Sequence, residues 1–152
     1  MEYILQINNK TKTKISKKEI KAVFRETIES ALGNSFLGKN FELSLALVNE
    51  EEIRLLNRQY RRKDRPTDVL SFAEFENLNK LPSNDAKIAE DDIFMGELIV
   101  CPEYIRKNAI EDKESFDFAM AYIISHGILH LLGFPHGKKM FSLQMAVAEK
   151  MT

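Results

Sequence analysis

The segment His126-Gly127-Ile128-Leu129-His130-Leu131-Leu132-Gly133-Phe134-Pro135-His136 constrains this chain more than any other feature, and it holds all 3 of the protein's histidines. His126 and His130 are four residues apart in an apolar run that reads as helix. That spacing puts both imidazoles on one face, one turn apart. Gly133 can leave the helix with positive φ, and Pro135 does not readily continue it. The chain is therefore predicted to turn back and bring His136 to the far side of an ion held by His126 and His130. Three neutral imidazoles with a fourth position left open form the donor set of catalytic rather than structural zinc. The spacing matches the metalloprotease pattern H-E-x-x-H-x-x-G-x-x-H at every position but one. Gly127 stands where those peptidases carry the glutamate that serves as general base. The expectation is a peptidase-like cage that performs different chemistry.

Composition bounds the rest. A chain of 152 residues with 44% apolar residues is predicted to fold as one domain, 1–152, around a substantial core. The formal net charge is −1, so nothing global points to nucleic acid or membrane, and any polyanion site must be local. The single cysteine, Cys101, excludes an internal disulfide and fits a reducing compartment. The start, Met1-Glu2-Tyr3-Ile4-Leu5, lacks a basic segment followed by a long apolar run, and no stretch approaches the ~18 apolar residues of a membrane span. A cytoplasmic protein that does not enter membranes is expected.

Along the chain, Tyr3–Ile7 reads as a strand ending at Asn8-Asn9. Ser16 and Glu19 form a capping-box signal for a helix that carries Ile20, Val23, Phe24, Thr27, Ile28 and Ala31 and stops at Gly33. Phe41, Leu43, Leu45 and Leu47 alternate as a second strand. Asn49 and Glu52 open a second helix with the stripe Ile53, Leu56, Tyr60. A charged loop leads to a third strand over Val69–Phe72. Glu74–Asp92 is polar and turn-rich and is predicted to be a long surface loop. Phe94–Cys101 reads as a fourth strand, Pro102 as the first turn of a helix through Ile105 and Ala109, and Ser115–Leu132 as a helix apolar almost all round, hence central. A last helix is expected over Lys138–Met151, with Met140, Met145 and Met151 packing on the core.

A second constellation precedes the third strand. Arg58, Arg61, Arg62, Lys63 and Arg65 gather around a single acid, Asp64. Most charge runs are solvated surface. This one lies in a helix-to-strand loop of an otherwise neutral protein, where it can hold a phosphodiester and stabilise charge developing on phosphorus.

With both constellations in view, the chain resembles the YbeY family of bacterial rRNA maturation factors, which are single-strand-specific metallo-endoribonucleases. The family motif H-G-x-L-H-L-x-G-[YF]-D-H appears as HGILHLLGFPH, with Pro135 in place of the aspartate. The upstream signature Y-R-x-x-D-x-P-T-[DN]-V-L-S-F appears from Tyr60 to Phe72, and G-[DE]-[IL]-x-[IV] appears as Gly96-Glu97-Leu98-Ile99-Val100. The resemblance implies an α+β fold, with a small four-stranded mixed sheet packed with helices around a central metal-binding helix. It implies His126, His130 and His136 as ligands of one zinc ion. It places Arg61 on the family's functional arginine of the cleft, expected to be catalytic; Arg62, Lys63 and Arg65, as diffuse phosphate contacts along the strand, and Ser71 are expected to bind substrate. The implied substrate is single-stranded RNA, above all precursor 16S rRNA near its 3′ end, in maturation and quality control of the small ribosomal subunit. Pro135 removes a carboxylate and an N–H beside the third ligand. Two other readings stay open: a non-catalytic, zinc-containing ribosome assembly factor, favoured by the missing base, and a metallopeptidase, favoured by the cage and opposed by Gly127.

Overall fold

In a computed structural model, residues 2–82, 84–88 and 91–152 are described. Met1, at the head of the stretch read for a leader, and Ser83, Ala89 and Glu90, within the loop expected over Glu74–Asp92, lie outside the described residues.

Alternation along Asn40–Leu47 (β2) sets the architecture. Phe41, Leu43, Leu45 and Leu47 are buried and the residues between them only half-buried, so one face meets the main core and the other a thinner cover. Tyr3–Asn9 (β1) and Asp92–Val100 (β4) flank β2, both parallel to it, and Val69–Ala73 (β3) pairs antiparallel with β4, giving the order β1-β2-β4-β3. Parallel neighbours need long crossovers. Lys17–Leu32 (α1) supplies the first, and Glu50–Arg61 (α2) together with β3 fills the second. Pro102–Glu111 (α3), Phe116–Leu131 (α4) and Lys138–Met151 (α5) complete an α+β fold.

Local chemistry explains the helix starts. Ser16 Oγ accepts from Glu19 N at 3.2 Å, Asn49 Oδ1 from Glu52 N at 2.9 Å, and Ser115 Oγ from Phe118 N at 3.1 Å. Each such cap is worth about 1 kcal/mol. α4 is the central helix: it packs on α1, α3, α5 and the sheet, and its single buried hydroxyl, Ser125, meets Thr27 Oγ at 2.9 Å. Because Thr27 donates its proton to Val23 O at 2.7 Å, Ser125 is the donor of that pair. On the opposite face of the sheet a smaller cluster, Val48, Ile53, Leu70, Ile99 and Cys101, lies under α2. Burial pushes the Cys101 thiol up, so it stays a protonated, inert core residue.

β4 carries a bulge. Glu42 pairs with Phe94 and Leu43 with Gly96, which leaves Met95 as the extra residue. Gly96 has φ 131, and a Cβ there would lie 2.2 Å from the Phe72 carbonyl oxygen. Only glycine lets β3 pair at that point.

Two expectations need correction. The segment read as a polar surface loop contains two short 3-10 turns, Leu78–Lys80 and Ala86–Ile88, and buries Leu78 and Ile88 completely or nearly so; β4 also begins earlier, at Asp92. Isolated apolar residues among polar neighbours carry no periodicity, so their anchoring role escapes a pattern reading. Met145, expected in the core, is 39% exposed, while Met140 is buried. Along α5 the buried residues are Met140, Gln144, Val147 and Ala148, and Met145 falls a residue off that stripe.

Candidate metal centre

α4 presents His126 and His130 on one face. The helix ends at Leu131, and Gly133 takes φ 91, a conformation that L side chains rarely adopt. The Gly133 N–H still bonds His130 O at 2.9 Å and the Phe134 N–H bonds Leu129 O at 3.0 Å, so the reversal is tight. It returns His136 to the other two imidazoles. His130 Nε2 lies 3.0 Å from His126 Nε2 and 3.1 Å from His136 Nε2. Tetrahedral coordination with ~2.0–2.1 Å bonds needs donors ~3.3 Å apart, so the trio stands close to chelating geometry.

The hydrogen bonds of these rings bear on what the cluster can hold. His126 Nδ1 meets Gln144 Oε1 at 2.9 Å, and an amide oxygen only accepts, so the His126 proton sits on Nδ1. The Nε2 atoms of the three rings converge, and His126 turns an Nε2 lone pair to the cluster. A cation at their common focus would accept it. Burial, and then the neighbouring His126 and His136, push His130 down to about 4, which keeps it neutral and able to ligate at ordinary pH. The three side chains are close enough to hold a metal ion, and their all-nitrogen donor set suits zinc.

Gly127 proves to be more than a missing base. A Cβ there would sit 2.8 Å from Leu98 Cδ2 and 3.4 Å from Val69 Cγ2, so this position faces the sheet. A glutamate at this position would have to displace Leu98, and Val69 crowds it as well.

The basic loop follows the end of α2. Arg61 is the last helical residue and Arg62 takes φ 58, with its N–H on Arg58 O and Asn57 O. Buried Asn57 donates Nδ2 to Arg65 O at 2.9 Å, which folds the loop back on the helix. Asp64 is neutralised by Arg54, Nε to Oδ1 at 2.9 Å, and so leaves its cationic neighbours unmasked. Arg62, Lys63 and Arg65 are exposed. Arg61 behaves differently. Its Nη2 donates to Ser71 O at 2.8 Å and its guanidinium lies 5.1 Å from the Phe72 ring centroid, so it is held against β3. Ser71 thus meets Arg61 through its carbonyl. β3 packs on α4 and is the link between the two constellations.

Sequence reasoning missed Gln144. It is 1% exposed and belongs to α5, yet it holds the His126 ring. The available signal was a glutamine at helical spacing between Met140 and Val147–Ala148, on a stripe otherwise apolar.

A family model described as endoribonuclease YbeY matches residues 6–152. A Colwellia psychrerythraea protein named endoribonuclease YbeY is 36% identical over 148 residues, covering 93% of this chain and 87% of that protein. A protein of the same name from Caldicellulosiruptor saccharolyticus is 32% identical over 151 residues, covering 99% and 94%. Among solved structures, the solution structure of a Thermotoga maritima protein matches with a TM-score of 0.62 at 30% identity, covering 97% of this chain and 89% of that one.

Proposed function

The chain belongs to the endoribonuclease YbeY family, and from that premise we propose that it is a single zinc-dependent hydrolase domain that cuts single-stranded RNA. The natural substrate in this reading is precursor 16S rRNA near its 3′ end, on or near the small ribosomal subunit in the cytoplasm. Among the described residues no helix is long and apolar enough to cross a membrane. The observation that carries the reading is the convergence of the Nε2 atoms of His126, His130 and His136, 3.0 and 3.1 Å from one another through His130, close to the donor spacing of a tetrahedral cation.

In this mechanism the three histidines hold zinc through Nε2. Zinc, when bound, supplies a Lewis acid for a phosphoryl oxygen. Arg61 is the catalytic arginine. Anchored on Ser71 O and stacked at Phe72, it spends part of its donor set on the protein and turns the remainder to the phosphate, with little to reorganise as charge develops. Arg62, Lys63 and Arg65 track neighbouring phosphates, and Ser71 lines the strand along which the RNA lies. RNA brings its own nucleophile in the 2′-OH, so the absence of a carboxylate at Gly127 does not block cleavage as it blocks peptide hydrolysis.

The test is elemental analysis combined with cleavage of a single-stranded 16S-precursor RNA, with and without chelator. About one zinc per chain is expected, with cleavage lost on chelation and both lost in His126→Ala. Full zinc retention in His126→Ala rejects the ligand set. Tight RNA binding with no cleavage by zinc-loaded protein favours an assembly factor instead. Peptide turnover that tracks zinc content favours a peptidase.

A further inference from the structure

The face of α4 that carries His126 and His130 continues past them. Ala119, Tyr122 and Ile123 lie on that face, toward the start of the helix, by the helical period. They floor a cavity of about 300 Å³. Asn108 and Asp112, at the end of α3, form one wall, Asp68 closes it at the foot of β3, and Met145 of α5 stands at its rim. The cavity shares two helices with the metal centre: Tyr122 lies one turn, about 5.4 Å of helix rise, before His126 on α4, and Met145 follows Gln144, the partner of His126, on α5.

The lining is mixed in a specific way. Tyr122, Ile123 and Met145 offer apolar surface to a flat ring. Tyr122 is backed by Phe118, with ring centroids 6.1 Å apart and planes 17° from parallel, so a base laid on Tyr122 extends an existing stack. The polar groups are chiefly acceptors: the carboxylates of Asp68, Asp112 and Glu114, and the oxygen of the Asn108 amide. Carboxylates repel a phosphate, so the part of a nucleotide that enters is the neutral base. Acceptors require N–H donors, and guanine presents both a ring N–H and an amino group on its Watson–Crick edge, whereas uracil presents a single N–H.

We propose that this cavity is a guanine pocket that seats the nucleotide adjoining the scissile phosphodiester. The assignment rests on the ribonuclease reading for its role in cleavage, though not for the binding itself. Two measurements on the zinc-loaded protein separate them. In the first, guanosine and uridine are titrated while the Tyr122 ring and Met145 methyl signals are followed by NMR. Guanosine should shift both and bind about tenfold more tightly than uridine, as for a stacked and hydrogen-bonded base. Tyr122→Ala should weaken guanosine binding about fivefold or more, and Asp112→Asn, at an exposed position that keeps the helix end intact, should collapse the guanosine-to-uridine ratio. In the second, a uridine tract carrying one guanosine is cleaved and the product ends are mapped. Wild type should cut beside the guanosine, and Asp112→Asn should spread the cuts. If no RNA is cut, the ribonuclease reading fails and the nucleoside titration still decides the pocket. Cleavage without base preference, or equal or absent shifts with the two nucleosides, overturns the proposal.

Discussion

The Nδ1–H of His126 goes to Gln144 Oε1 at 2.9 Å, and that one bond decides which ring nitrogen faces the other ligands. Removing it in Gln144→Leu keeps the volume, frees the ring to rotate or change tautomer, and should weaken zinc about 10–100-fold. Gln144→Glu keeps an acceptor and should hold zinc at least as tightly as wild type. Competition against a chromophoric chelator reads both, and equal affinity for Leu and Gln would remove Gln144 from the metal site. At Arg61 the expected effect is on rate. Arg61→Ala should leave zinc content intact and slow single-turnover cleavage by about 10²-fold or more, as for loss of one preorganised donor. Arg61→Lys should recover little, since an ammonium makes neither the fork to phosphate nor the stack on Phe72. Arg62→Ala and Lys63→Ala should instead weaken binding and lower its salt slope by about one unit each. Wild-type cleavage by saturated Arg61→Ala would make Arg61 a surface charge. At this scale the sequence was legible where spacing carries chemistry, as in the three histidines. Gln144 was hidden because its partner lies on another helix, and one amide in an apolar stripe has no local signature.

Between residues and molecule stand the elements that aim the ligands. The helix starts at Ser16, Asn49 and Ser115 could be read because a cap is a local interaction. The role of residues 74–81 could not. Leu78 is fully buried, Asn79 N donates to Leu132 O at 3.0 Å, and a Cβ on Gly133 would fall 2.4 Å from Asn77 Cα. This loop therefore presses on the turn between the second and third ligands. Gly133→Ala meets both a forbidden φ and a backbone clash, and should lower stability together with zinc affinity. Leu78→Ala opens a cavity worth about 2–5 kcal/mol and should loosen the same turn. Thermal melts of the metal-free proteins, paired with chelator competition, check both. If Leu78→Ala lowers the melting temperature and leaves zinc affinity untouched, the loop is a core plug with no hold on His136.

For the whole molecule, the number of strands was legible and their order was not. Alternation identifies β2, but nothing local places β4 beside it or announces Met95 as a bulge; those follow from packing Leu98 and Val100 under α4. Because the three histidines sit on that central helix and on the turn docked to it, the proposed metal binding would be coupled to folding. Zinc at a hundredfold excess over its dissociation constant should add about 2.7 kcal/mol, or roughly 5–10 °C in melting temperature for a chain of this size. Protons oppose this with a definite sign. His130 has an ordinary value near 6.5 in the unfolded chain and about 4 in the metal-free fold. Above 6.5 neither state holds the proton, and the group costs nothing. As pH falls from 6.5 toward 4 only the unfolded state is protonated, so the metal-free fold loses stability across that window. The holo protein loses the same amount over that window, because the unfolded chain is common to both, and its metal stabilisation goes only where the folded ring itself takes up a proton, near 4, since ligation needs the neutral ring. Both melting temperatures should therefore fall together between 6.5 and 4, with the gap between them constant until the pH nears 4 and closing below it. In His130→Asn the metal-free slope between 6.5 and 4 should be shallower and the gap small at every pH. Melting curves recorded from about pH 8 to about pH 3.5, with zinc and with chelator, decide the matter. A gap that persists unchanged below pH 4, or an unchanged slope in His130→Asn, would mean that the imidazoles do not link the ion to the fold.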